Sequence, residues 1–195
     1  MANHVSNYIT YDGNEAVEKE WNNLFTHYGE LVERPSYHGD GTIELWEHGE
    51  IQKHPFLEGY DEDNWYSWGC ENIGAKWAHI EDADEGHAYI VSAWSPIIPY
   101  MESLYEHLLK LDEEVTLRCQ YEDEFRNFIG VAYAYGDGDH DWVELEGEDL
   151  NQLLAEELGL EELPEDFEWW DEYEDTGIVP QEWIDDEVYN WFEKQ

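Results

Sequence analysis

The chain has 195 residues and carries 50 Asp+Glu against 8 Lys+Arg, a formal net charge of −42, together with 11 Trp, 14 Tyr and 6 Phe. The charge argues against a nucleic-acid or anionic-lipid binder, since both kinds of affinity draw on clustered Lys and Arg. The aromatic content argues against a disordered polyanion, because such residues supply large buried areas. A folded body under an acidic coat is expected, with a basic protein as its natural partner.

No run approaches the ~20 apolar residues of a membrane span. The opening Met1-Ala2-Asn3-His4 lacks a secretory layout. A cytoplasmic location is expected, in the host bacterium if the chain is phage-encoded. Cys70 and Cys119 form no disulfide framework and no zinc ribbon.

The first element is a short β run, Tyr8-Ile9-Thr10-Tyr11, ended by Asp12-Gly13. Asn14 is positioned as an N-cap, and Val17, Trp21, Leu24, Phe25 and Tyr28 recur on one helical stripe, with Gly29 as its C-cap. Residues 30–68 read as an insertion. Within it, residues 42–46 and 50–53 flank His48-Gly49 as a hairpin. Trp77 to Ile80 predicts a strand, 82–86 a turn, and His87 to Trp94 an apolar strand. Ser95-Pro96 reads as N-cap and first helical residue, followed by Ile97, Met101, Leu104, Tyr105 and Leu108 at helical spacing. Val115, Leu117, Cys119 and Tyr121 alternate as a half-buried strand, and Phe128 to Tyr135 forms another, paired with Val143 to Leu145. Leu150, Leu153, Leu154 and Leu158 mark a short helix stopped near Gly159. A second helix starts at Pro180 and carries Ile184, Val188, Trp191 and Phe192. The element order predicts an α+β antiparallel sheet with helices on one face.

Several groups invite a chemical reading, and each has a plainer one. His79 and His87 can meet across a hairpin as metal ligands, or be ordinary half-buried histidines. Asp137-x-Asp139-x-Asp141 with Glu148 echoes calcium-loop spacing, but Trp142 stands where that loop needs Gly, so a turn with solvated acids is expected. Cys70 with His54 or His79 would make a nucleophile and base, yet the surrounding acids oppose a thiolate. Glu71 with Asp82 is one of many carboxylate pairs that 50 acids supply by chance. Trp65-Tyr66-x-Trp68 reads as core packing, with stacking on a ligand as the alternative. Trp169-Trp170 cannot both face one core if extended, which makes one of them an apolar anchor for a partner. No catalytic residue, metal or cofactor is assigned, and no enzyme is expected.

The segment Cys70-Glu71-Asn72-Ile73-Gly74-Ala75-Lys76-Trp77, followed by Ala93-Trp94-Ser95-Pro96-Ile97-Ile98-Pro99, is more specific. It resembles the signature "ENWGTKW … TAWSPP" of the YubB-type ferredoxin-like domain family of phage and conjugative-plasmid proteins. Residues 2–10, and Tyr121 with Phe125 to Gly130, are similar to further stretches of that family. The resemblance covers residues 2–146, less the insertion. It implies a ferredoxin-like sheet over 1–147 and no catalytic residue. In this frame Trp77 and Trp94 read as core and Gly74 as a turn.

Residues 148–195 depart from the family. They hold eighteen acids and one base, Lys194, and read as an acidic, aromatic-rich helical segment packed on the body. The sequence thus predicts a DNA mimic of a phage or mobile element. It would bind and inhibit a host DNA-binding protein such as a defence nuclease, a restriction or CRISPR component, or a regulator. The phosphate surrogates would be Glu161, Glu162, Glu165, Asp166, Glu168, Asp171, Glu172, Glu174, Asp175, Asp185, Asp186 and Glu187, with Trp169 or Trp170 as anchor. The alternatives are a non-enzymatic interaction module whose charge serves solubility or cation binding, and adaptation to high salt. Oligomeric state stays open, a dimer included.

Overall fold

The computed structural model describes residues 3–25, 31–35, 43–47, 51–60, 63–136, 138–163 and 188, with the backbone alone for 31–35, 43–47 and 53. Strand β1 (His4–Asp12) leads through Asn14 into helix α1 (Glu15–Phe25). The cap is as expected: Asn14 Oδ1 accepts the N–H groups of Ala16 at 2.8 Å and Val17 at 3.2 Å. Val17, Trp21 and Phe25 are buried along one face. Tyr28 and Gly29 lie outside the described residues.

The expected insertion is partly something else. Strand β3 (Ile43–Glu47) pairs with β2 (Leu31–Pro35); of the expected partner 50–53, Ile51–Lys53 form a single 3₁₀ turn. Ile51 and His54 are buried in the main core, and Phe56 and Leu57 pack against it. Helix α2 (Trp65–Asn72) was not visible as a period, because its eight residues span barely two turns.

Strands β4 (Ala78–Ala83) and β5 (His87–Ala93) form the expected hairpin. Helix α3 (Ile98–Leu109), strands β6 (Thr116–Asp123), β7 (Phe128–Tyr135) and β8 (Asp139–Glu146), and helix α4 (Gly147–Glu157) follow. Helix α3 does not start at Ser95-Pro96. Its N-cap is Ile97, and Pro99 occupies the first turn. The Ser95 hydroxyl instead donates to Gly74 O at 2.6 Å. Helix α4 ends as read: Gly159 is left-handed at φ +71°, and Leu160 N–H returns to Ala155 O at 2.8 Å.

All six main strands pair antiparallel in the order β4-β5-β1-β6-β7-β8. This is an α+β fold, but the order of the whole sheet is not that of a four-stranded ferredoxin-like sandwich, because β7 and β8 extend it beyond β6. The helices do not all share a face either. Helices α1 and α3 bury their apolar stripes with Ala132 and Ala134 of β7, whereas Leu150 of α4 packs with Ile129 and Val131. Successive strand residues point to opposite faces, so α4 lies on the reverse side of β7. Val188 joins that second cluster at 3% exposure. The rest of the expected helix from 180 onward lies outside the described residues.

Asn7, fully buried in β1, ties the sheet to the start of α3. Its Nδ2 donates to Val5 O, to Ile90 O at 3.1 Å and to Ser92 Oγ at 2.9 Å, while Oδ1 accepts Ile97 N–H at 3.1 Å. Asn7→Leu leaves Ile97 N–H unpaired and buried; a loss of about 1–3 kcal/mol is expected in urea unfolding. His54 is the second buried polar side chain with a defined partner: Nδ1 meets Tyr100 Oη at 2.8 Å. Burial lowers its pKa from 6.5 to about 4. The unfolded chain therefore binds this proton first, and stability is lost as pH falls from 6.5 to about 4. Relative to His54→Phe, wild-type protein should lose about 3 kcal/mol over that interval. Unfolding free energies of both proteins at several pH values check this.

Candidate functional site: an acidic edge

Of the described acids only Asp123 is buried. The others are at least partly in water, and on the body several are matched by histidine. His4 lies 3.6 Å from Glu124, His87 2.8 Å from Asp84, His107 2.7 Å from Glu20 and His140 3.1 Å from Glu102; His79 pairs with Glu81. The His107 hydrogen bond holds the Glu20 carboxyl below its ordinary range. With so few Lys and Arg, histidine is the residue that most often stands beside a carboxylate among the described residues.

Exposed acids of the body such as Glu15, Glu18, Glu113 and Glu114 enter no ion pair among the described residues, and the run from β8 through α4 concentrates acids of this kind. Strand β8 is an outer strand of the sheet, and α4 follows it directly. Asp139, Asp141, Glu144 and Glu146 on the strand are all exposed. So are Glu148, Asp149, Glu156 and Glu157 on the helix, and Glu161 and Glu162 beyond it. Among the described residues none of these ten carboxylates enters an ion pair. Asp139 and Asp141 share one face of β8, Glu144 and Glu146 the other. Same-face residues on a strand recur about every 6.8 Å, twice the axial rise per phosphate of one DNA strand. Trp142, at 56% exposure, stands in the middle of the strand and stacks on His140.

Helix α4 carries these charges against its own interest at one end. Glu148 and Asp149 in the first turn suit the helix dipole, but no base balances Glu156 and Glu157 near its C-terminus.

Of the expected phosphate surrogates, Glu161 and Glu162 continue this edge. Glu165, Asp166, Glu168, Asp171, Glu172, Glu174, Asp175, Asp185, Asp186 and Glu187, with Trp169 and Trp170, lie outside the described residues. The acids of β8 were not assigned to the site from sequence, because Asp139 and Asp141 were read as part of a turn. The signal lies in the alternation of Glu144 and Glu146 with Val143 and Leu145, and in the absence of any Lys or Arg between Arg126 and Lys194.

The other candidates resolve individually. The hairpin register pairs His79 with Val91, four residues from His87, and each histidine has its own carboxylate. Asp139 and Asp141 sit in a strand and Glu148 in a helix, and among the described residues no cluster is placed to hold a metal ion. Cys119 is buried, its thiol pushed up to about 12 by burial, while Cys70 is exposed on α2 and His54 is turned to Tyr100. Glu71 and Asp82 belong to separate elements, α2 and β4. Trp65-Tyr66-x-Trp68 divides: Trp68 is buried and donates to Glu58 O at 2.7 Å, while Trp65 and Tyr66 are exposed.

The expected core positions Trp77 and Trp94 are not core. Trp77 is half-buried on the reverse sheet face against His4 and His79, and Trp94 is 51% exposed. Gly74 does form a turn, at φ +92°; a Cβ there would lie 2.6 Å from Pro99 Cδ and 2.9 Å from Pro96 O. Among the described residues no helix is long and apolar enough to cross a membrane.

Comparison with protein-family models, with curated proteins and with solved structures returns no match to this chain.

Glu156→Lys with Glu157→Lys places cations at the end of α4 where its dipole favours them. The double variant should be more stable than wild type by about 0.5–2 kcal/mol at low ionic strength, read as a rise in the urea midpoint at unchanged slope. The gain should shrink in high salt.

Proposed function

We propose that this protein is an acidic DNA mimic that occupies the DNA-binding cleft of a basic host protein and blocks it. The observation that carries this reading is the edge formed by β8 and α4: ten exposed carboxylates that enter no ion pair among the described residues, with the exposed ring of Trp142 among them. A cleft built for DNA offers Lys and Arg at phosphate positions. Carboxylates held on a strand and an adjoining helix offer such cations fixed anionic partners, and opposite charge steers the two together quickly. Charge kept at the C-terminal end of α4, where it costs stability, is the pattern expected when binding rather than folding selects it. The acids between 165 and 187 would extend the same edge.

The resemblance to the YubB-type family supports a phage or plasmid setting and a counter-defence role. The block of strands β4-β5-β1-β6, with α1 and α3 as crossovers, favours reading the body as an elaborated ferredoxin-like sheet. A second reading, in which the charge serves solubility alone, draws on one observation. Acidic side chains on an outer strand such as β8 also prevent sheets from pairing edge to edge.

Immobilised protein exposed to lysates of several bacterial hosts tests the proposal. A DNA-binding protein should be retained at about 50 mM salt, weaken by about 200 mM, and be released by added duplex DNA. Retention of only non-nucleic-acid-binding proteins, or of none, would contradict it.

A further inference from the structure

Three aromatic side chains close around Lys76. Trp65 and Tyr66 come from the first turn of α2, and Trp94 from the turn between β5 and α3. The Lys76 ammonium lies 5.7 Å from the Trp65 ring centroid, 5.9 Å from Tyr66 and 5.4 Å from Trp94. These distances are within the range of attraction between a cation and the negative face of a ring. The rings are 43%, 49% and 51% exposed, so they are not there to fill the core; Trp68 on the same helix does that.

The backbone at Trp94 makes the arrangement more telling. Its φ is +70°, the left-handed region that bulky residues avoid. Burial does not offset that strain, since half of the residue is in water. The conformation is held from outside. Trp94 N–H donates to Asn3 O at 3.0 Å, Ser95 Oγ to Gly74 O, and Ile97 N–H to Asn7 Oδ1. The fold thus keeps an indole at the surface, at a strained position, facing an ammonium. Strain of this kind is retained where surrounding structure fixes it and function uses it. Lys76 itself is one of only eight Lys and Arg in a chain with 50 acids. Among the described residues it sits against rings and pairs with no carboxylate.

We propose that Trp65, Tyr66 and Trp94 form a cation-accepting cage that takes a Lys or Arg side chain of a basic partner protein, with Lys76 as its resident occupant in the free protein. The partner's identity as a basic protein rests on the function proposed above; the cage rests on its own geometry. Lys76 has a flexible four-carbon stem and can swing into water. A partner that covers the cage removes water from it, and cation–ring attraction strengthens on desolvation. Exposed Asp63 precedes α2 and exposed Glu71 lies near its end, and their charge favours an incoming cation. The site predicted at Trp169 or Trp170 from sequence would then have a counterpart on the body.

Tetramethylammonium chloride is the probe, with sodium chloride at equal ionic strength as control. It carries a positive charge but no N–H donor, so it cannot hydrogen-bond to carboxylates. Indole N–H resonances of ¹⁵N-labelled protein report each tryptophan. Those of Trp65 and Trp94 should shift saturably with tetramethylammonium and not with sodium. Lys76→Gln, which empties the cage, should tighten the apparent affinity several-fold. Trp94→Leu should abolish the Trp65 response, and Trp65→Ala, on an exposed helix position, should abolish that of Trp94 if the first variant fails to fold. Equal responses to the two salts in wild type and in Lys76→Gln would overturn the cage, as would a loss of affinity in Lys76→Gln. No partner is present in this experiment, so its failure leaves the acidic-edge reading standing, and a failed lysate capture leaves the cage standing.

Discussion

Electrostatic repulsion is the constraint under which every other part of this fold operates. Two like charges 4 Å apart in water repel by about 1 kcal/mol, and by far more in a protein interior. A chain with a net charge of −42 therefore folds only if its acids stay in water and its interior stays neutral. Among the described residues the structure obeys both demands except at Asp123 and Arg126. The core is apolar and aromatic, with Trp21, Tyr100 and Tyr121 among its largest fully buried side chains. Its polar members are satisfied where they carry architecture: Asn7 joins β1, β5 and the start of α3, and Trp21 Nε1 donates to Asp84 O at 3.0 Å. The buried charges, Asp123 and Arg126, are neighbours in the β6–β7 turn, where Arg126 Nη1 donates to Asp123 O at 3.0 Å.

Periodicity made part of this legible from sequence. The α1 stripe, its Asn14 cap, the alternation of β6 and the stop of α4 at Gly159 are local signals, and each has a local cause. What stayed hidden was tertiary. Helix α2 is too short to show a period. Residues 42–46 are read from sequence against the nearby 50–53, and only three-dimensional pairing reveals Leu31–Pro35 as the partner of Ile43–Glu47. Ser95 looked like an N-cap because capping chemistry and long-range hydrogen bonding use the same hydroxyl; here Gly74 O takes it. Trp94 looked like core because large aromatics usually are. Its left-handed backbone and its exposure have no signature in one sequence.

The acidic edge was partly legible for the same reason. A shift to acids without bases after residue 126 is visible in the sequence, but composition does not say which acids share a surface. The strand register of β8 does, with Asp139 and Asp141 on one face and Glu144 and Glu146 on the other. On the body, histidines stand beside Glu20, Glu81, Asp84, Glu102 and Glu124. Along β8 and α4 no described partner does. The coat is uneven in density: residues 139–162 carry ten exposed acids and no Lys or Arg. The caged Lys76 adds a place where a cation meets aromatic faces instead of carboxylates, a contact with shape as well as charge.

The central claim is that this edge, not the charge as a whole, does the binding. Two number-matched variants decide it against a captured DNA-binding target. One neutralises Asp139→Asn, Asp141→Asn, Glu144→Gln and Glu146→Gln on β8. The other neutralises Glu15→Gln, Glu18→Gln, Glu113→Gln and Glu114→Gln, exposed acids of α1 and of the turn before β6. The account predicts a large loss of affinity and a shallower salt dependence for the first set only. Equal losses from both sets would show that the coat acts uniformly and would contradict it.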